Sequence, residues 1–161
     1  MPFFCTEPNI GEQLRTPPNK YIFTNMKLNN IIRISVVPLS LVGEVTFVSL
    51  SEARLGSEVP FRELSAIKKP AQLTIADKIE DKVRLFQSKL VFYSCEDALV
   101  DLDRSAFLCE AIDGKRYLIG TGDRPYPVVT QQENHPSNGS DSQLTEVTVT
   151  WTCTKRPPII I

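Results

Sequence analysis

Apolar and polar residues alternate with a period of two along most of this chain, and that pattern predicts strands. The clearest case is "LTEVTVTWTC". Val147, Val149, Trp151 and Cys153 fall on one face, and Glu146, Thr148, Thr150 and Thr152 on the other. "NNIIRISVV" is β-branched, with Ile32, Ile34 and Val36 predicted to share a face and Pro38 ending the run. "GEVTFVSL" puts Val45 and Phe47 together, and "AQLTIADKI" points Leu73 and Ile75 inward. "KVRLFQSKLVFYS" reads as a longer strand, too apolar towards its end for an exposed hairpin arm. Between Ser51 and Lys69 the pattern lapses. Two short helical turns broken by Gly56 and Pro60, or a long loop, both fit that stretch.

Helical spacing is signalled in "SCEDALVDLDRS". Ser94 is a plausible N-cap with Asp97 three residues on, and Ala98, Leu99 and Leu102 share a face. A helix of about nine residues needs packing to persist. The next stretch, "FLCEAIDGKRYLIGTGDRPYP", carries Asp113-Gly114, a strong hairpin signal. A two-residue turn there would pair Ile112 with Lys115 and Glu110 with Tyr117, and would put Phe107, Cys109 and Ala111 on a face with Leu118. "QQENHPSNGSDSQ" is polar, rich in turn formers and without apolar periodicity, so it reads as a loop.

These elements predict a mainly-β (α+β) fold, an antiparallel sandwich or partly closed barrel with one short helix. Proline divides the chain into a proline-rich extended N-terminal arm over 1–20, a single β-rich domain over 21–154, and a C-terminal arm over 155–161. The second arm, "KRPPIII", has an apolar tip. Ile159, Ile160 and Ile161 either fold back onto their own core or dock on a neighbouring subunit.

Composition adds little that is specific. The chain has 161 residues, 42% hydrophobic and 23% charged, with a net charge of -1. That balance gives no reason to expect specific nucleic-acid or anionic-membrane binding. No run of about 20 apolar residues is present. The first residues lack a basic segment followed by an apolar stretch, so the expectation is a cytosol-like compartment with reduced thiols. Cys5, Cys95, Cys109 and Cys153 are far apart, and with the single histidine, His135, they lack zinc-site spacing.

The candidate chemistry is thin. Gly120-Thr121-Gly122 is too short for a dinucleotide loop, and no Gly-Lys-Ser/Thr opens a helix after it. It reads as a strand exit. His135 sits in a polar loop, a poor mount for a general base. Glu96, Asp97, Asp101 and Asp103 crowd one short helix but lack calcium-loop spacing. Asn138-Gly139-Ser140 matches the glycosylation triplet without a secretory signal beside it. The expectation is a protein that is not an enzyme, with no cofactor, metal or small-molecule substrate.

From about Gln72 to Pro158 the order of features resembles small structural proteins of tailed bacteriophages and prophages. A strand and charged turn lead to "LFQSKLVFYS", then "DALVDLDRS", the hairpin "FLCEAIDGKRYLIGT", a polar loop and "LTEVTVTWTC". The resemblance implies a virion protein assembled in the host bacterial cytoplasm, a subunit of a tail, neck or head–tail connector ring. Its partners would be further copies of itself and neighbouring tail or neck proteins. The contact candidates are Pro17, Pro18, Thr148, Thr150, Pro157, Pro158, Ile159, Ile160 and Ile161. The alternative is a small β-rich ligand- or peptide-binding module outside any virion, receiving a partner strand on an exposed edge.

Overall fold

A computed structural model describes residues 27–56, 58–64, 71–94, 102–135, 137 and 144–161, without the side chains of 27–30. Eleven strands carry the fold: β1 (Lys27–Pro38), β2 (Val45–Phe47), β3 (Glu52–Leu55), β4 (Arg62–Glu63), β5 (Ala71–Glu80), β6 (Val83–Ser94), β7 (Ser105–Ala111), β8 (Arg116–Ile119), β9 (Val128–Asn134), β10 (Leu144–Cys153) and β11 (Ile159–Ile160). They form one sheet in the order β2-β3-β11-β8-β7-β1-β5-β6-β10-β9, with β4 paired to β1 beside that path. The pairs are antiparallel except β11 with β3. Mainly-β architecture is therefore as the alternation predicts, and the sheet is not closed into a barrel.

The sheet curls on itself to bury one face. Phe92 on β6 and Phe107 on β7 have ring centroids 6.4 Å apart, although β1 and β5 lie between their strands. In a flat sheet three strand spacings would separate them by about 14 Å. Their contact means that the two halves face each other, as the layers of a sandwich do. Inside the curl lie Ile31, Ile34, Leu73, Leu90, Phe92, Phe107, Cys109, Ile119, Val147, Val149 and Trp151. Burying one such large side chain contributes roughly 1.5–3 kcal/mol relative to leaving it exposed. A second core, with Val37, Val42, Ala53, Ala106, Leu118 and Ile160, includes the residues of β7 and β8 that alternate with those of the first. Consequently β7 and β8 are covered on both faces, which explains why their sequences are nearly continuous apolar runs.

Register decides several details. The Asp113-Gly114 hairpin forms, but Glu110 pairs with Arg116, Cys109 with Tyr117 and Leu108 with Leu118. The turn holds three residues rather than two: Gly114 N–H donates to Ala111 O, Ala111 N–H donates to Lys115 O, and Gly114 sits at φ +84. This is the hairpin in which a left-handed glycine closes a type I turn. One residue of shift exchanges the faces of the second strand. Hence Tyr117 and Ile119, not Leu118, join Phe107, Cys109 and Ala111 in the first core, and Ile112 is left 70% exposed. A similar correction applies to β1. Its register shifts between Ile31 and Arg33, so Ile31 points inward with Ile34 and Val36 while Ile32 is exposed.

Two stretches are strands where the sequence pattern predicts none, the first left between helical turns and a loop and the second read in part as a loop. Glu52–Leu55 is β3, not a helical turn, paired with β2 and β11. Val128–Asn134 is β9, which takes up "QQEN" from the stretch expected to be a loop. Their polarity misled because neighbours satisfy the backbone while most of the side chains of β9 stay in solvent. The tight two-residue turn belongs to β5 and β6 instead. Asp81 and Lys82 have φ of 49 and 65 between the paired Glu80 and Val83. Most of the expected helix lies outside the described residues; within them, Leu102–Arg104 is one 3-10 turn that sends Leu102 into the core.

The segment expected as a C-terminal arm belongs to the sheet. Leu118 N–H donates to Pro158 O, Ile159 N–H to Ser51 O, and Ile161 N–H to Ala53 O. Pro157, Pro158 and Ile160 are buried and Ile161 is half exposed. Of the two readings for the isoleucines, the structure has the fold-back. β10 ends at Cys153, and a buried proline pair further on leads the chain into the slot between β3 and β8.

Candidate functional site

The contact candidates fall into three groups. Pro17 and Pro18 lie outside the described residues, as does residue 138–140 chemistry and the acidic set Glu96, Asp97 and Asp101. Ile159 and Ile160 form β11 and Pro157 and Pro158 are buried just before it, so what that segment presents outward is the tip at Ile161. Thr148 and Thr150 stand half-buried on the outer face of β10, which β6 and β9 flank on both sides. Thr130 Oγ1 donates to Thr148 O at 3.4 Å. On the same outer face Tyr93 is the cross-strand partner of Glu146, and the hydrogen bond to that carboxylate holds its phenol above its ordinary pKa. These threonines therefore offer a polar face, not an edge.

Residues singled out for chemistry are scattered. Gly120 follows β8 at φ +95, and a Cβ there would lie 2.6 Å from Pro127 Cγ. It turns the chain out of the strand under Pro127, with no free space for a ligand above it. Gly122 has no positive φ, and its nearest neighbour is Leu39 O at 3.5 Å from a built Cβ. His135 is exposed, with Nε2 3.3 Å from the Glu133 carboxylate. Cys109 is fully buried, and burial pushes its thiol pKa far up, so it stays protonated. Cys153 is half-buried on β10. No group of three or more His, Cys, Asp or Glu residues among those described is placed to hold a metal ion.

Two surfaces stand out that sequence reasoning missed. The first is β9. It pairs with β10 on one side, and no second strand pairs with it among the described residues. Val129 packs on the core while Val128 and Thr130 to Asn134 are exposed. The second is the far end of the β5–β6 hairpin. From Ala76 to Arg84 it is exposed on both strands, and it carries Ile79 at 71% exposure and Val83 beside its turn. Ile79 lies on the same side of β5 as Leu73 and Ile75, but Asp77 falls between them and Arg84 stands opposite it, so this face turns from packed to mixed and exposed towards the turn. Arg84 with Asp77 and Lys78 with Glu80 form ion pairs around it, the second at 3.1 Å. The apolar signal was already in "IADKIE", but it is indistinguishable there from a core strand.

No protein-family model matches the chain, and no curated protein or solved structure matches it. What this arrangement can do rests on its own geometry. It supplies strand edges, a polar threonine face and a projecting apolar tip, which are means of meeting another polypeptide.

Proposed function

We propose that this chain is a structural subunit that works by self-association and by contact with neighbouring proteins. Its proposed setting is a ring of a phage tail, neck or head–tail connector, assembled in the host bacterial cytoplasm and carried in the virion. The observation that carries the association reading is the projecting β5–β6 hairpin, whose core-side face exposes Ile79 beyond the reach of its own core. An apolar side chain exposed on an internally paired hairpin gains by insertion between neighbouring chains. The setting in a virion is supported by the sequence resemblance of the C-terminal half. Rings built from one chain need two unlike surfaces that meet head to tail. The hairpin tip and the β9 edge lie on the same wing and are chemically unlike.

The β9 edge also favours a second reading, a binding module that takes an extended peptide as an added strand. Light scattering coupled to size-exclusion chromatography, followed by electron microscopy, separates the two. A closed ring at high protein concentration is expected. A monomer that persists at high concentration with its neighbouring gene products present would overturn the assembly reading and leave the binding module.

A further inference from the structure

The core-side face of the β5–β6 hairpin changes character before its turn. Asp77 stands opposite Phe86, and Ile79 opposite Arg84. All four residues are at least partly exposed, Ile79 at 71%. Neighbouring strands lie about 4.8 Å apart and same-face residues of one strand about 6.7 Å, so the four make a compact quadrilateral. Ile79 and Phe86 occupy one diagonal, Asp77 and Arg84 the other. We propose that this quadrilateral is a two-fold contact whose partner is the same face of a second copy of this chain. The proposal rests on the self-association reading and names what the hairpin meets.

The charge pattern selects the partner. When two such faces are laid together with the two-fold axis along the apolar diagonal, Ile79 meets the partner's Ile79 and Phe86 the partner's Phe86. The axis exchanges the other two corners, so Asp77 faces the partner's Arg84 and Arg84 the partner's Asp77. An isologous contact needs a surface complementary to itself, and this one is so in both charge and hydrophobicity. Other axes in the plane of the face do worse. Along the charged diagonal, Asp77 would meet Asp77 and Arg84 would meet Arg84. Along the strands, Ile79 would meet Arg84 and Phe86 would meet Asp77. Within one chain Arg84 Nε lies 3.8 Å from Asp77 Oδ2, with both side chains more than half exposed. Such a pair contributes little by itself, so both charges are free to be shared with a neighbour. Cys153 stands opposite Phe86 on β10 and packs on the first core, which backs the apolar diagonal. Lys78, Glu80 and Val83 lie on the outer face and are left for other contacts. Four side chains a copy fall short of the about 20–30 residues a side of a stable interface. The contact is therefore concentration-dependent, and it joins two chains or two rings rather than closing one ring.

Charge reversal in the full chain tests the pairing, with the mass read by sedimentation equilibrium at high protein concentration. Asp77→Arg and Arg84→Asp, each alone, set like charges against each other at both corners. Each is expected to self-associate about tenfold or more weakly than the parent. An equimolar mixture of the two is expected to recover the parent's mass, with one chain of each kind in every pair. The double variant, Asp77→Arg with Arg84→Asp, is expected to recover it alone. Single variants that associate as the parent does would overturn the proposal and leave the assembly reading standing, and so would a mixture no heavier than its components. A parent that stays monomeric throughout would overturn both. Ile79→Cys gives a reading that needs no charge reversal, with Cys5, Cys95 and Cys153 changed to serine. It puts a thiol on the two-fold axis, and mild oxidation is expected to give covalent dimers. Lys78→Cys, on the other face, is expected to give none. Equal yields from the two would overturn the contact.

Discussion

The two halves of the sheet treat the same alternating pattern differently. Around β7 and β8 both faces are covered: Phe107, Cys109 and Tyr117 pack into one core, Ala106 and Leu118 into the other. In the wing formed by β5, β6, β10 and β9, one face is packed and the other is polar, with Thr148, Thr150 and Lys89 outward. Towards the end of the β5–β6 hairpin even the core-side face is uncovered, at Ile79. Covered strands stabilise the chain and have no surface left to offer. A strand with a free face or edge adds less stability and can meet a partner. Packed and uncovered surface are thus separated along one sheet, and substitutions should report which half they strike.

The largest effect is expected where the wing closes onto the rest. Trp151 is buried among Val149, Val147 and Leu90, and its Nε1 donates to Pro125 O at 2.9 Å in the loop after β8. Trp151→Ala removes the packing and strands that carbonyl, at a cost of about 3–5 kcal/mol. Phe107→Ala, inside the doubly covered half, falls in the same range of about 3–5 kcal/mol. Urea unfolding measures both. If either variant kept the parent midpoint, the curl that brings Phe92 to Phe107 would not be what holds the two halves together.

A smaller contrast lies in the glycines of the strand exit. Gly120→Ala must place a Cβ at positive φ and against Pro127, so a loss of about 1 kcal/mol or more is expected. Gly122→Ala meets neither obstacle and should change the melting temperature little. Equal losses would mean that the chain leaves β8 by another route. Melting temperatures measured with and without added nucleotide would also show whether the segment holds a ligand after all.

The cysteines give a test that depends on pH. Burial raises the Cys109 thiol above its unfolded value of about 8.5, so the folded chain keeps a proton that the unfolded chain releases. Its contribution to stability is therefore complete below that unfolded value and is lost as pH rises past it. With Cys5 and Cys95 changed to serine, Cys153 is expected to react with a thiol reagent in the native protein, and Cys109 only at the rate of unfolding. Fast labelling of Cys109 at neutral pH would show that the covered half opens locally.

Much of this was legible in the chain because alternation and burial agree wherever one face is packed. Val147, Val149 and Trp151 were readable as core from spacing alone, and so was Leu73. Facing was lost where a single residue decides it. The bulge near Ile31 and the three-residue turn at Ile112 to Gly114 each exchange faces without altering composition. Pairing between distant strands was not readable either. Nothing local in "PPIII" says that Ile159 will lie parallel to Glu52 and antiparallel to Tyr117. The same limit hid the candidate surfaces. β9 is polar because it is an edge, and Ile79 is apolar although exposed, so hydropathy alone sorts both the wrong way.

The smallest effect on stability is expected at the hairpin tip, where the functional reading is most exposed. Ile79 touches solvent over most of its surface and belongs to neither core. Ile79→Ser should therefore change the unfolding free energy by no more than about 0.5 kcal/mol, the usual span for a surface site away from packing. The turn at Asp81 and Lys82 and the ladder from Gln72 to Glu80 do not depend on that side chain, so the hairpin itself should persist. What should change is association. If the exposed isoleucine is an insertion point between subunits, the variant will shift the monomer–ring equilibrium towards monomer while its circular dichroism and melting temperature match the parent. A variant that still forms rings at parent concentrations would remove the hairpin from the interface and leave the β9 edge as the contact to test. A variant that melts well below the parent would show that the tip is packed in the folded protein, which would break the division of the sheet into a stabilising half and a contacting one.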